Sequence, residues 1–273
     1  MRAGLRIERV VTSGVFTLDG GTWEVDNNVW IVGDDDEAVV IDAAHDADAI
    51  AEAVGDRRLA AIVCTHAHND HVNAAPALGP VRRIMPQTRG LARRPAALSS
   101  VADAPRRRPP PPCSPTRQTP LPRVDEAPQL SCDLIRRTGP TAATGAPILL
   151  HLDDRLLWKQ THPDRAPDGY VSDNQRIGVA GTHVSVLHAP GHTPGAICLH
   201  LPDLGTVFTG DILFAGGPGA TGRSYSDFPT IVRSIRDRLL VLPESTTVRT
   251  GHGPETTIGD EAPHLEAWIA RGH

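Results

Sequence analysis

The chain has 273 residues, ample for a sizeable core in one large domain or two small ones. A formal net charge of -5 and a sequence pI of about 6.2 argue against a nucleic-acid or membrane-surface partner. No apolar run has the length of a bilayer span and residues 1–11 lack a signal-peptide core, so a cytoplasmic protein is expected. Four cysteines, Cys64, Cys113, Cys132 and Cys198, form no C-x-x-C pair and are too few for a disulfide framework. Cys64 and Cys198 sit in apolar runs and read as buried thiols.

In chain order, short apolar β-branched runs predict strands near residues 29–32, 38–41, 61–64, 148–150, 183–187, 197–201, 206–208 and 247–248. Helical spacing predicts a helix over 47–54 and another over 230–240, where Ile231, Ile235 and Leu239 share a face and Pro229 suits a first helical position. A third follows Pro263, with Leu265, Trp268 and Ile269 at helical spacing. Strands and helices mixed in this way predict an α/β architecture. Residues 80–144 break the pattern, with Arg106-Arg107-Arg108 running into Pro109 and three further prolines, and little apolar periodicity. They read as a disordered insertion that interrupts a single domain of 1–273 rather than dividing two, with a basic docking insert as the other reading.

The strongest chemical signal follows the strand at 61–64: Thr65-His66-Ala67-His68-Asn69-Asp70-His71. In an extended turn His66 and His68 project the same way and can share one cation, while Asp70 and His71 start a helix and can reach a second. A helix cap explains one aspartate but not three histidines. This cluster by itself could hold one metal; the case for two comes from three later residues. His192 lies in Pro190-Gly191-His192-Thr193-Pro194-Gly195, Asp211 in Phe208-Thr209-Gly210-Asp211, and His252 in Thr250-Gly251-His252-Gly253. Each stands just past the carboxyl end of a predicted strand, where ligands of α/β sheets collect, beside Gly or Pro that lets the backbone turn.

Together these motifs resemble the metallo-β-lactamase superfamily of hydrolases over residues 15–79 and 145–270, which implies a four-layer αβ/βα sandwich. By that resemblance His66, His68 and His192 would hold one metal, Asp70, His71 and His252 a second, and Asp211 would bridge them. Asp70 would also be catalytic. Asp42, at the end of the strand 38–41, matches a carboxylate that orients the site, although a cap for the helix at Ala47 fits it equally. The resemblance implies two divalent ions, zinc first with iron or manganese as alternatives, that activate water and stabilise an oxyanion. Consistently, no G-x-S-x-G nucleophile elbow occurs.

Within the superfamily, His192-Thr193-Pro194-Gly195 and Phe208-Thr209-Gly210-Asp211 are most similar to the glyoxalase II (hydroxyacylglutathione hydrolase) branch, which cleaves thioesters of small thiols. That branch's Gly-Arg-Asp-Phe stretch is expanded here to Gly222-Arg223-Ser224-Tyr225-Ser226-Asp227-Phe228, which puts substrate identity in doubt. Arg223 and Tyr225 are candidate substrate contacts, with packing at a helix start as the competing reading. About twenty residues follow His252, so the branch's helical carboxyl-terminal domain is expected to be absent. The expected substrate is an S-acyl adduct of glutathione or, given the arginine-rich, lysine-poor composition of GC-rich bacteria, mycothiol. Alternatives are a lactone, β-lactam or phosphoester hydrolase of the same fold, or a mono-iron persulfide dioxygenase. The sequence says nothing of oligomeric state.

Overall fold

The computed structural model describes residues 4–78 and 145–272. The insertion expected at 80–144, with Cys113 and Cys132, therefore lies outside the described residues. The chain opens with a hairpin of two 13-residue strands, β1 (Arg6–Leu18) and β2 (Gly21–Gly33). Asp19 and Gly20 join them, both at positive φ (50° and 77°), the backbone twist that two-residue hairpins need. Apolar runs alone did not predict β1, because its buried and exposed positions alternate; the Asp-Gly pair was the available signal.

From β2 the first sheet continues through β3 (Glu37–Ile41), β4 (Arg58–Val63), β5 (Ile148–His151) and β6 (Gly169–Val171), in the order β1-β2-β3-β4-β5-β6. The pairings from β3 to β6 are parallel. The second sheet has the order β14-β13-β10-β9-β8-β7, from β7 (Arg176–Val179), β8 (Thr182–His188), β9 (Ile197–Leu201), β10 (Thr206–Gly210), β13 (Thr247–Thr250) and β14 (Thr256–Thr257). A two-stranded ribbon, β11 (Leu213–Phe214) and β12 (Gly217–Pro218), follows β10.

Strand periodicity sorts the apolar residues into layers. Trp30, Val32, Val39, Ile41, Ala61, Val63 and Leu149 point from the first sheet to meet Ile177, Val184, Val186, Ile197, Leu199 and Phe208 of the second. Their alternating neighbours Val29, Ile31, Val40, Ile62, Ile148 and Leu150 face α1 (Ala47–Val54), α2 (Asn69–Val72), α3 (Ala75–Leu78) and α4 (Arg155–Thr161). On the far side Cys198, Val207 and Val248 pack against Ile231, Ile235, Leu239 and Trp268 of α5 (Phe228–Ser234, continued by a π-helical turn over Ile235–Leu239) and of α7 (Leu265–Arg271), with α6 (Ile258–Glu261) between them in the chain. Helices, sheet, sheet and helices form the four-layer αβ/βα sandwich. Every predicted strand and all three predicted helices are present, and Cys64 and Cys198 are buried. The start of the second helix is one position earlier than predicted: Asp227 caps it through Thr230 N, and Phe228 precedes Pro229 in its first turn.

A candidate dinuclear metal centre

The seven side chains singled out in the sequence meet at one edge of the sandwich, beyond the ends of β4, β10 and β13. Thr65 to His68 run extended from β4, and Asn69 then opens α2, so that Asp70 and His71 lie in its first turn. His68, not Asp70, occupies the cap position, and it makes no side-chain cap hydrogen bond. The loop after β8 carries His192, the end of β10 carries Asp211, and the loop after β13 carries His252. Backbone bonds tie these loops together: Ile197 N donates to Thr65 O (2.8 Å), Gly251 N to Gly210 O (2.8 Å) and Asn28 N to Gly251 O (2.7 Å). Gly251 is required by close approach, since a Cβ there would lie 2.4 Å from Asp211 Oδ1 and 2.7 Å from His71 Cε1.

Two groups of ligand atoms result. His68 Nδ1 lies 3.1 Å from His66 Nε2 and 3.0 Å from His192 Nε2. Beside them, His252 Nε2 lies 3.1 Å from His71 Nε2 and 3.3 Å from Asp70 Oδ2. Asp211 spans both: Oδ2 is 3.6 Å from His192 Nε2 and 3.5 Å from His252 Nε2, and Oδ1 is 3.4 Å from His71 Nε2.

The second nitrogen of four rings is already engaged, which fixes the tautomers. His192 Nδ1 donates to Ala220 O (2.9 Å) and His252 Nδ1 to Asp26 O (2.7 Å). His71 Nδ1 donates to Asp42 Oδ2 (3.0 Å). Thr65 Oγ1 donates to the same Asp42 oxygen (2.7 Å) and so accepts from His66 Nδ1 (3.1 Å). In the neutral rings the lone pairs on His66, His71, His192 and His252 Nε2 therefore converge, and too few hydrogens are present to separate them. Asp70 Oδ1, Asp211 Oδ1 and His68 Nε2 are buried without a hydrogen-bond partner. Converging lone pairs beside orphaned carboxylate oxygens are what a cation with imidazole and carboxylate ligands at about 2.0–2.2 Å would satisfy, so the residues fit two divalent ions.

Asp42 is not a helix cap: that place belongs to Asp46, whose carboxylate accepts from Asp48 N and Ala49 N. With φ at 56°, Asp42 instead turns its carboxylate to Thr65 N, Thr65 Oγ1 and His71 Nδ1, orienting the cluster from behind. Sequence reading passed over Asn27, whose Nδ2 donates to Asp70 Oδ2 (3.1 Å). Asn27 Oδ1 in turn accepts from His45 Nε2 (2.9 Å). Neither carries a motif, and only the hairpin's approach to α2 brings them in.

The electrostatics differ between the groups. Burial, with the neighbouring His71 and His68, holds His66 well below the usual imidazole range. Burial and His192 push His68 down to about 3, and burial also lowers His192 against the pull of Asp211. Burial opposes charge on His71 and His252 too, but Asp211 and Asp70 outweigh it, raising His71 well above its ordinary value and His252 to about 10. Burial favours neutral acids at Asp70 and Asp211, yet His71 and His252 hold both below the usual carboxylate range.

A cavity of about 400 Å3 opens onto the centre, lined by His68, Asp70, His192, Asp211 and His252, with Phe16, Trp23, Phe214 and Arg223 around them. The Arg223 guanidinium lies 3.9 Å over the Trp23 ring. Tyr225 is exposed, its hydroxyl accepts from Gln160 Nε2 (3.4 Å), and it is not part of this lining.

The family profile of the metallo-β-lactamase superfamily matches residues 22–124 and 133–252. The chain belongs to this superfamily. Membership and the His/Asp clusters together point to a dinuclear metal site. Among curated relatives, the probable metallo-hydrolase YqgX of Bacillus subtilis is 36% identical over 104 residues, 37% of this chain and 49% of its own. The hydroxyacylglutathione hydrolase GloC of Haemophilus influenzae is 39% identical over 99 residues, 36% of this chain and 45% of its own. The chain thus spans about half the length of these curated relatives. Among solved structures, the BLEG-1 B3 metallo-β-lactamase aligns over 94% of this chain and 99% of its own, with a TM-score of 0.59 and 22% identity, a likeness of fold. No helix among the described residues is long and apolar enough to cross a membrane.

Proposed function

We propose that the chain is a dinuclear zinc hydrolase that cleaves thioesters of a small thiol such as glutathione or mycothiol. The observation that carries the hydrolase reading is the convergence of five imidazoles and two carboxylates at one cavity with their lone pairs undersatisfied. His66, His68 and His192 would hold one ion, Asp70, His71 and His252 the other, and Asp211 would lie between them. Bound there, the ions supply activation of water near neutral pH and stabilisation of the developing oxyanion.

The chain's own groups then have distinct tasks. Asp42 and Thr65 orient His71 and His66 through their Nδ1 atoms. Asp70 is anchored at Oδ2 by Asn27, while Oδ1 has no partner; in this reading that oxygen would take up the proton of the attacking water. Phe16, Trp23 and Phe214 give the cavity apolar walls that exclude bulk water beside the reacting bond. Arg223, with its guanidinium carbon over the Trp23 ring, presents positive charge at the same cavity and suits a carboxylate of the thiol carrier. The partial similarity to a hydroxyacylglutathione hydrolase supports a thioester over other carbonyl substrates. Tyr225 is left without a part in this reading.

Zinc-reconstituted protein should hydrolyse S-hydroxyacyl-glutathione or the corresponding mycothiol adduct, followed by loss of thioester absorbance, and should contain two metals per chain. Absence of turnover on both thioesters, with turnover on a lactone, β-lactam or phosphoester, would overturn the thioesterase reading. A single iron per chain would favour a persulfide dioxygenase instead.

A further inference from the structure

A carboxylate outside all the motifs ties the two histidine loops to each other. Asp154 ends a 3-10 turn (Leu152–Asp154) between β5 and α4 and is fully buried. Its Oδ2 accepts from Ala67 N (3.0 Å), the peptide between His66 and His68, and from Thr193 Oγ1 (2.7 Å), next to His192. Its Oδ1 accepts from Gly195 N (2.6 Å). No cationic side chain is among these partners; three donors from two loops, one on each sheet, satisfy the carboxylate. Burial pushes Asp154 up to about 6, against the pull of Thr193, Gly195 and Ala67. Gly195 makes the approach possible, since a Cβ there would lie 2.6 Å from Asp154 N and 2.8 Å from its carboxyl carbon.

We propose that Asp154 is a positioning residue for the metal centre, setting the distance between His192 and the His66–His68 pair by clamping the peptides beside them. The inference rests on the proposal that these three histidines hold a cation. The reasoning is geometric. His192 comes from the second sheet and His66 and His68 from the first, so their mutual placement depends on whatever joins the two loops. The backbone bond from Ile197 N to Thr65 O joins the loops just before His66, and Asp154 joins them just after it, from Ala67 N to Thr193 Oγ1 and Gly195 N beyond His192. An error of about 0.5 Å in such a site is enough to weaken it. An amide at this position turns one acceptor into a donor facing an N–H or O–H, so it cannot satisfy all three donors. Asp154 touches neither the cavity nor any proposed ligand, which separates its role from catalysis.

The test compares wild type, Asp154→Asn and Thr193→Val for zinc stoichiometry and affinity, by competition with a chromophoric chelator, and for the visible spectrum of the cobalt-substituted proteins. In Asp154→Asn one of the two cations should bind at least tenfold more weakly and the cobalt bands should shift, with far-ultraviolet circular dichroism retained. Thr193→Val, which removes one donor in three, should weaken the same cation by about threefold; it decides the matter if the Asn variant does not fold. Wild-type affinity and cobalt spectrum in whichever variants fold would overturn the positioning role. Failure of wild type to bind a cation at all would overturn the metal reading itself, and is recognised without any variant.

Discussion

The two halves of the centre both rest on histidine but are prepared in opposite ways. His66, His68 and His192 are buried from solvent, and their imidazoles are held neutral by burial and by one another. Asp70 and His71 are as deeply buried and His252 is partly exposed, but here the carboxylates of Asp211 and Asp70 raise both histidines above the ordinary imidazole range. The first half is ready to receive a cation without displacing anything. The second stores a proton that a cation must replace. A carboxylate in place of the third histidine, with Asp211 alongside, makes the difference.

The sharpest way to break the comparison is to remove the residue shared by both halves. Asp211→Ala should lower metal content in both groups and reduce thioester hydrolysis by about 10³-fold or more, since each metal contributes several kcal/mol of transition-state stabilisation; atomic absorption and steady-state kinetics check it. Next, His252→Ala should retain about one metal per chain and His192→Ala should lose the more tightly held one; equal losses would contradict the asymmetry. The pH dependence sharpens it further. Above about pH 6.5 the three-histidine group should bind zinc with little change, because burial lowers all three rings below that ordinary imidazole value and they are already neutral. The group containing His252 should bind more tightly as pH rises toward 10 and release about one proton per cation, measurable in weakly buffered solution. In the metal-free protein the raised His252 value adds stability that is present below about pH 6.5 and lost as pH climbs through about 10, so its melting temperature should fall across that window and His252→Ala should flatten the fall. The smallest effect is expected at the cavity mouth: Arg223→Ala should raise KM about tenfold, the equivalent of about 1.4 kcal/mol, with kcat nearly unchanged.

Much of the centre was legible because its ligands belong to short motifs at strand ends, where glycine and proline mark the turns. His66, His68, Asp70 and His71 stand within six positions of one another, and His192, Asp211 and His252 each follow a recognisable strand. The strands themselves were legible where both faces are covered, as in β3 and β4, because burial on two sides demands uninterrupted apolar residues. The half-exposed β1 lacks that demand and was missed. Asn27, His45 and Asp154 were invisible for another reason: each acts through a partner 18 to 87 positions away, and a single polar residue has no pattern of its own.

The sequence by itself determined which atoms are available to hold cations and that a layered α/β chain carries them, since ligand chemistry and strand periodicity are local properties. Only the tertiary structure decided that Asp42 orients the cluster instead of capping α1, that Arg223 joins the cavity while Tyr225 does not, and that Asp154 clamps two loops. Those outcomes depend on which loops two sheets bring together, and hydrogen bonds at 2.6–3.1 Å are settled by that packing rather than by neighbours along the chain.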